Sequence, residues 1–96
     1  MPAYVIIETD VQDPEQYERY KQASPAAVEA YGGRFIARGG ELAVLEGDWH
    51  PNRLVLLEFD DVEAAKRFYA SPEYEEVRRL REGAAHLNMV AVQGLE

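Results

Sequence analysis

The sequence predicts an α+β fold of the ferredoxin-like kind: a βαββαβ sandwich with a four-stranded antiparallel sheet and helices on one face. Three observations lead there. Four runs dense in β-branched and other apolar residues, Ala3 to Thr9, Arg34 to Arg38, Leu54 to Phe59 and Leu87 to Val92, read as strands. Helix-start signatures fall between the first and second strands and between the third and fourth. The resulting order, βα-ββ-αβ, is that of two β-α-β units sharing one sheet.

Each element has its local reason. Asp13 is an N-cap residue, Pro14 suits the first helical position, and Gln16 stands where a capping box places its partner. Tyr17 and Tyr20 mark that helix's buried side. Pro25 lacks an N–H and would cost about 3 kcal/mol inside a helix, so a break is expected at Ser24, which then caps a second short helix carrying Val28 and Tyr31. Gly32 is expected to end it in the left-handed conformation, and Gly33 to release the chain into the second strand. Gly39-Gly40 reads as a turn. Leu42 to Leu45 reads as a short extended piece, and Gly47 to Asn52 as a loop holding Trp49, His50 and Pro51. Asp60 is expected to cap the next helix with Glu63 as its partner and an inner stripe of Ala64, Ala65, Phe68 and Tyr69. Ser71-Pro72 repeats the cap-then-proline start, with Tyr74, Val77 and Leu80 inward and Gly83 at the end.

Strand alternation carries a further expectation. Tyr4, Ile6 and Glu8 point one way, while Val5, Ile7 and Thr9 point the other. Leu54, Leu56 and Glu58 likewise oppose Val55, Leu57 and Phe59. Both faces are largely apolar, yet the helices cover only one. A second copy of the sheet is the simplest cover for the other, which predicts a homodimer with its sheets face to face.

Composition narrows the function classes. Residues 1–96 are expected to form a single domain. A hydrophobic content of 47% is too high for a disordered tail. The net charge of −8 disfavours nucleic acid and anionic membranes as partners. No cysteine is present, which excludes disulfides and thiolate chemistry and fits a cytoplasmic location. The apolar run Ala3 to Ile7 is too short for a signal peptide or a membrane span. The two histidines, His50 and His86, show no metal-ligand spacing, so neither a metal nor a cofactor is expected.

The strings YGGRFIARGGELAVLEGDW, RLVLLEF and AAKRFYASPEYEEVRRLR together resemble the domain of unknown function 1330 family (DUF1330). The most specific parts are Gly32-Gly33-Arg34, Leu45-Glu46-Gly47, Glu58-Phe59, and Phe68-Tyr69 followed by Ser71-Pro72-Glu73-Tyr74. The resemblance spans Tyr4 to Gly94 and implies a dimeric α+β barrel, the superfamily of antibiotic-biosynthesis-type monooxygenases and muconolactone-isomerase-like proteins. It implies no established activity. Where relatives tend to end in Val-Glu-Gly, this chain has Val92-Gln93-Gly94.

Candidate chemistry lies at polar groups in apolar surroundings. If the first and third strands are parallel neighbours, Glu8 and Glu58 lie near the same end of the sheet. Arg34, Ile36 and Arg38 alternate onto one face, so Glu8, Glu58, Arg34 and Arg38 would form one polar patch around a small ligand. Glu58, with a carboxylate neighbour to raise its pKa, is a candidate general base; the competing reading is a set of ion pairs that fix register. His50 is a second candidate base, with Trp49 as an apolar wall; the competing reading is a solvated loop histidine. Tyr69 and Tyr74 are candidate ligand contacts at a helix–helix corner, or core residues with a polar tip. The Arg78 to Arg81 run reads as a solvated helix face. GGRFIARGG lacks the GxGxxG spacing and opens no helix, so a phosphate loop is rejected. The expected function is binding of a small, largely apolar organic molecule between sheet and helices. If the protein is an enzyme, cofactor-independent oxygenation or isomerisation fits by analogy. The alternative is a non-catalytic dimerisation or ligand-sensing module.

Overall fold

The computed structural model describes residues 1–95. Its elements are β1 (Ala3–Val11), α1 (Pro14–Ala30), β2 (Arg34–Arg38), β3 (Leu54–Phe59), α2 (Val62–Ala70), α3 (Pro72–Arg79) and β4 (Ala85–Gln93). The strands form one sheet in the order β2-β3-β1-β4, and every neighbouring pair is antiparallel. This is the ferredoxin-like arrangement. No helix among the described residues is long and apolar enough to cross a membrane.

The helix starts follow their caps. The Asp13 carboxylate accepts the Gln16 N–H at 3.1 Å. The Gln16 side chain does not close the capping box; its amide donates to the Leu80 and Glu82 carbonyls at 3.2 and 2.8 Å, tying α1 to the turn after α3. The cap of α2 is Asp61 rather than Asp60: its carboxylate accepts the Ala64 N–H at 2.7 Å. A single buried hydroxyl serves two helices. Ser71 Oγ donates to the Phe68 carbonyl at the end of α2 and accepts the Tyr74 N–H at the start of α3.

The expected break at Ser24 does not occur; α1 runs through Pro25. Proline at that position removes the N–H that would bond the Lys21 carbonyl, four residues back. That carbonyl instead accepts from the Arg38 guanidinium and from Ser24 Oγ. The orphaned acceptor is satisfied by side chains, and Ala27 and Val28 are buried beyond it. Gly32 ends the helix at φ 78°, as expected. A Cβ on Gly33 would lie 2.5 Å from the Phe59 ring, so only glycine lets the chain turn into β2 at this depth.

Strand direction also differs from the expectation. β1 and β3 are antiparallel, because the strand of one β-α-β unit is inserted between the strands of the other. Tyr4 therefore faces Glu58, and Glu8 faces Leu54. Glu8 and Glu58 share a sheet face but lie at opposite ends of it. In β2 the register slips between Phe35 and Ala37, so Arg34 pairs with Glu58 while Arg38 pairs with Val55. The bulge at Ile36 puts the two arginines on opposite faces. Leu42 to Leu45 forms no strand; the chain between β2 and β3 is irregular and exposed, with Leu45 at 95%.

Val5, Ile7, Thr9, Val55, Leu57 and Phe59 face the helices and are buried with Tyr17, Tyr20, Ala27, Val28, Ala64, Ala65, Phe68 and Tyr74. Tyr69 and Leu80, expected inward, are exposed. The opposite face carries the row Ala37, Leu56, Ile6, Val90, bordered by the row Arg34, Glu58, Tyr4, Val92. Among the described residues no element covers it, and Val90 is 62% exposed.

Candidate functional site

On the helix-covered face, two adjacent cross-strand rows place two arginines at one end of the sheet. Arg38, Val55, Ile7 and Met89 form one row. In the next, Arg53 just before β3 accepts the Thr9 N–H on its carbonyl, and Thr9 faces Leu87. Above these rows lie Tyr17 and Tyr20 of α1 and Tyr74 of α3. They enclose a cavity of about 20 Å³, room for one water-sized group, whose walls include Phe35, Leu57, Phe68 and Ser24. Lys21, Arg38 and Arg53 also line an outer opening of about 410 Å³, completed by Glu18, Gln22 and Pro25. The arginines thus stand between the open bowl and the small aromatic cavity.

Each guanidinium is held by the backbone's own geometry. Arg38 donates to the Lys21 carbonyl that Pro25 leaves free, and it stacks 4.4 Å over the Phe35 ring. Arg53 packs against Gly39, where a Cβ would sit 2.2 Å from Nη1; Gly39 also has φ 69°. Behind the cavity, the Tyr20 and Tyr74 hydroxyls hydrogen-bond to each other at 2.6 Å, and Arg81 lies 5.3 Å over the Tyr20 ring. Burial, with the Tyr74 hydroxyl beside it, pushes the Tyr20 hydroxyl far above the usual tyrosine range.

That shift predicts an alkaline limit. A tyrosine in the unfolded chain ionises near pH 10. Above that pH the unfolded state sheds a proton that folded Tyr20 keeps, so unfolding is favoured. Stability from this group is fully present below about pH 10 and falls by about 1.4 kcal/mol per pH unit above it. Denaturation measured between pH 9 and pH 11 (limits set by the ~10 of a free tyrosine) should show this slope, and Tyr20→Phe should flatten it. An unchanged slope in the variant would refute the assignment.

The model of the family described as Domain of unknown function (DUF1330) matches residues 2–95. The chain belongs to the DUF1330 family. Solved structures agree with the DUF1330 fold. The RPA0582 protein of unknown function from Rhodopseudomonas palustris is 22% identical with a TM-score of 0.74, over 99% of this chain and 83% of that one. A dimeric ferredoxin-like protein of unknown function from Thermobifida fusca is 16% identical with a TM-score of 0.67, over 98% and 92%. SnoaB, a cofactor-independent oxygenase from Streptomyces nogalater, is 12% identical with a TM-score of 0.66, over 99% and 94%. At these identities the likeness is one of fold. No curated protein matches the chain.

Within this DUF1330 fold the residues singled out from sequence fall into separate places. The single patch of Glu8, Glu58, Arg34 and Arg38 is not formed, for the two reasons already given: antiparallel pairing and the bulge. Arg34 Nε donates to Glu58 at 2.6 Å in an ion pair at one end of the open sheet face, beside a hollow of about 380 Å³ that includes Met1, Pro2 and Asp60. The Arg34 side chain is 72% exposed, so the pair is worth at most about 1 kcal/mol. At the other end, Glu8 accepts the Trp49 indole N–H at 2.9 Å and the Asn88 amide at 3.3 Å. His50 is exposed in the same loop. Tyr69 borders an apolar groove of about 260 Å³ between α2 and β4, with Arg78 4.4 Å over its ring. Arg38 and Tyr74 alone of the candidates line the aromatic cavity. Among the described residues no three His, Asp or Glu converge as metal ligands.

Sequence reasoning missed Arg53, Arg81 and the partnership of Tyr20 with Tyr74. Arg53 had a signal, since it extends the odd-numbered core alternation of Val55, Leu57 and Phe59 by one step. Arg81 belongs to the RRLR run read as solvated. Arg79 fits that reading through its pair with Glu75, whereas Arg81 is half-buried against Tyr20.

Proposed function

We propose that this protein is a homodimeric DUF1330 barrel that binds a small organic molecule in the cleft between α1 and the helix-covered sheet face. The bowl of about 410 Å³ carries the reading: it has a small ligand's size, and Lys21, Arg38 and Arg53 on its wall also line the small aromatic cavity. The dimer follows from the open face. Its apolar centre, Leu56, Ile6 and Val90, is flanked by the Arg34–Glu58 pair and the Glu8–Trp49–Asn88 cluster, the apolar core and polar rim of a protein interface. Relatives of this fold include dimeric ferredoxin-like proteins.

Binding rather than reaction is the favoured activity. Glu58 and His50, the candidate bases, both lie outside the cleft. The test is a melting screen against small aromatic and aliphatic molecules, charged and neutral, followed by a crystal structure with any stabiliser. The expected result is a raised melting temperature with the molecule in the bowl beside Arg38 and Arg53. No stabiliser from the library, or one bound only elsewhere, would refute the cleft reading and favour a dimerisation module.

A further inference from the structure

The mouth of the cleft holds positive charge that its surroundings do not neutralise. In a chain of net charge −8, the ion pairs among the described residues are Lys21–Glu18, Arg34–Glu58, Lys66–Glu63 and Arg79–Glu75. Neither Arg38 nor Arg53 is in one. Glu18, the carboxylate lining the same bowl, is already paired with Lys21 at 3.6 Å. Arg53 Nε is buried and has no hydrogen-bond partner among the described residues. A buried donor left unbonded costs about 1–3 kcal/mol, more when charged. The chain nevertheless reserves space for this group, since Gly39 leaves open the position a Cβ would take against Nη1.

We infer that the molecule bound in this cleft carries a carboxylate, received by Arg53 and Arg38 on the wall that the bowl shares with the aromatic cavity. The inference rests on the cleft-binding reading above. A guanidinium presents Nε and Nη N–H groups in a fixed fork that matches the two oxygens of a carboxylate. Arg53 lines both the bowl and the cavity, so a carboxylate in the bowl meets its guanidinium, and a shift of that side chain brings the buried Nε within reach. Arg38, fixed by the Lys21 carbonyl and the Phe35 ring, supplies a second positive charge without reorganising. The strongly acidic chain repels a dianion more than a monoanion, which favours carboxylate over phosphate.

Titration of the isotope-labelled protein with phenylacetate, phenylacetamide and inorganic phosphate tests this, read on the arginine Nε–H signals and the ring signals of Phe35, which lies under the Arg38 guanidinium. Phenylacetate should shift the Arg53 Nε–H and the Phe35 ring signals, and should bind at least tenfold more tightly than the amide. Arg53→Gln should weaken it at least tenfold, and Arg38→Gln should weaken it in the same direction. Arg34→Gln, on the other sheet face, should leave it unchanged. If Arg53→Gln fails to fold, the Arg38→Gln comparison and the acid–amide ratio decide. Equal binding of acid and amide in the cleft overturns the carboxylate assignment and leaves cleft binding standing. Phosphate binding as tightly as phenylacetate overturns it too, since the aromatic body would then contribute nothing. No cleft signal moved by either organic probe at millimolar concentration overturns both readings.

Discussion

Ile6→Glu is expected to abolish the proposed dimer, leaving a monomer at micromolar concentration. Ile6 sits at the centre of the uncovered face, directly opposite Leu56 on one side and Val90 on the other. Burying an isoleucine contributes about 1.5–3 kcal/mol, and a two-fold axis counts the site twice. The substitution also places two carboxylates in an apolar interface, which costs several kcal/mol more. A combined loss above about 4 kcal/mol raises the dissociation constant roughly a thousandfold. Sedimentation of the two proteins at equal concentration measures this. Ile6 faces away from the helices, so the folded protomer should keep its circular dichroism spectrum. A monomeric parent protein, or a variant that remains dimeric, would remove the face-to-face barrel.

Tyr74→Ala is expected to be the most destabilising single change in the protomer, at about 3–5 kcal/mol. Tyr74 is 1% exposed, its ring lies 4.4 Å from that of Phe68, and its hydroxyl bonds that of Tyr20. Domains of this size are stable by about 5–15 kcal/mol, so about one fifth to all of the total is lost and the folded fraction at 37 °C should fall. Tyr74→Phe separates the two contributions. It keeps the ring and removes only the hydroxyl, leaving the buried Tyr20 hydroxyl without its partner at about 1–3 kcal/mol. Urea denaturation of both variants should rank alanine well below phenylalanine. Equal losses would mean that the hydroxyl pair, rather than ring packing, dominates this corner.

The legible part of the fold was carried by short-range chemistry. Asp13 before Pro14 and Ser71 before Pro72 mark helix starts because the carboxylate or hydroxyl must satisfy backbone N–H groups within three residues. Alternation in Ala3 to Thr9 and Leu54 to Phe59 identifies two apolar faces because side chains alternate with period two whatever the neighbouring strand. Pro25 shows where this reasoning fails. Its local cost is real, but the Lys21 carbonyl it strands is satisfied by Arg38, a residue brought there only by the folded sheet.

The site was less legible for the same reason. Arg34 and Arg38 are four apart in a strand, and regular alternation would put them together; the bulge at Ile36 sends one to Glu58 and the other to the cleft. A bulge reflects the pairing of two strands, and β2 alone contains no sign of it. Tyr20 and Tyr74 are 54 residues apart and meet only when α1 and α3 pack.

By itself, the chain's sequence determined the element types and their order, the ferredoxin-like class, family membership and an uncovered apolar sheet face. Each of these depends on residue type and on spacings of two to four positions, which are properties of the chain before it folds. Strand direction, the bulge, the continuity of α1 through Pro25 and the meeting of Arg38, Arg53, Tyr20 and Tyr74 were decided by tertiary structure. They depend on which distant groups become neighbours, and that is set by packing over the whole sheet.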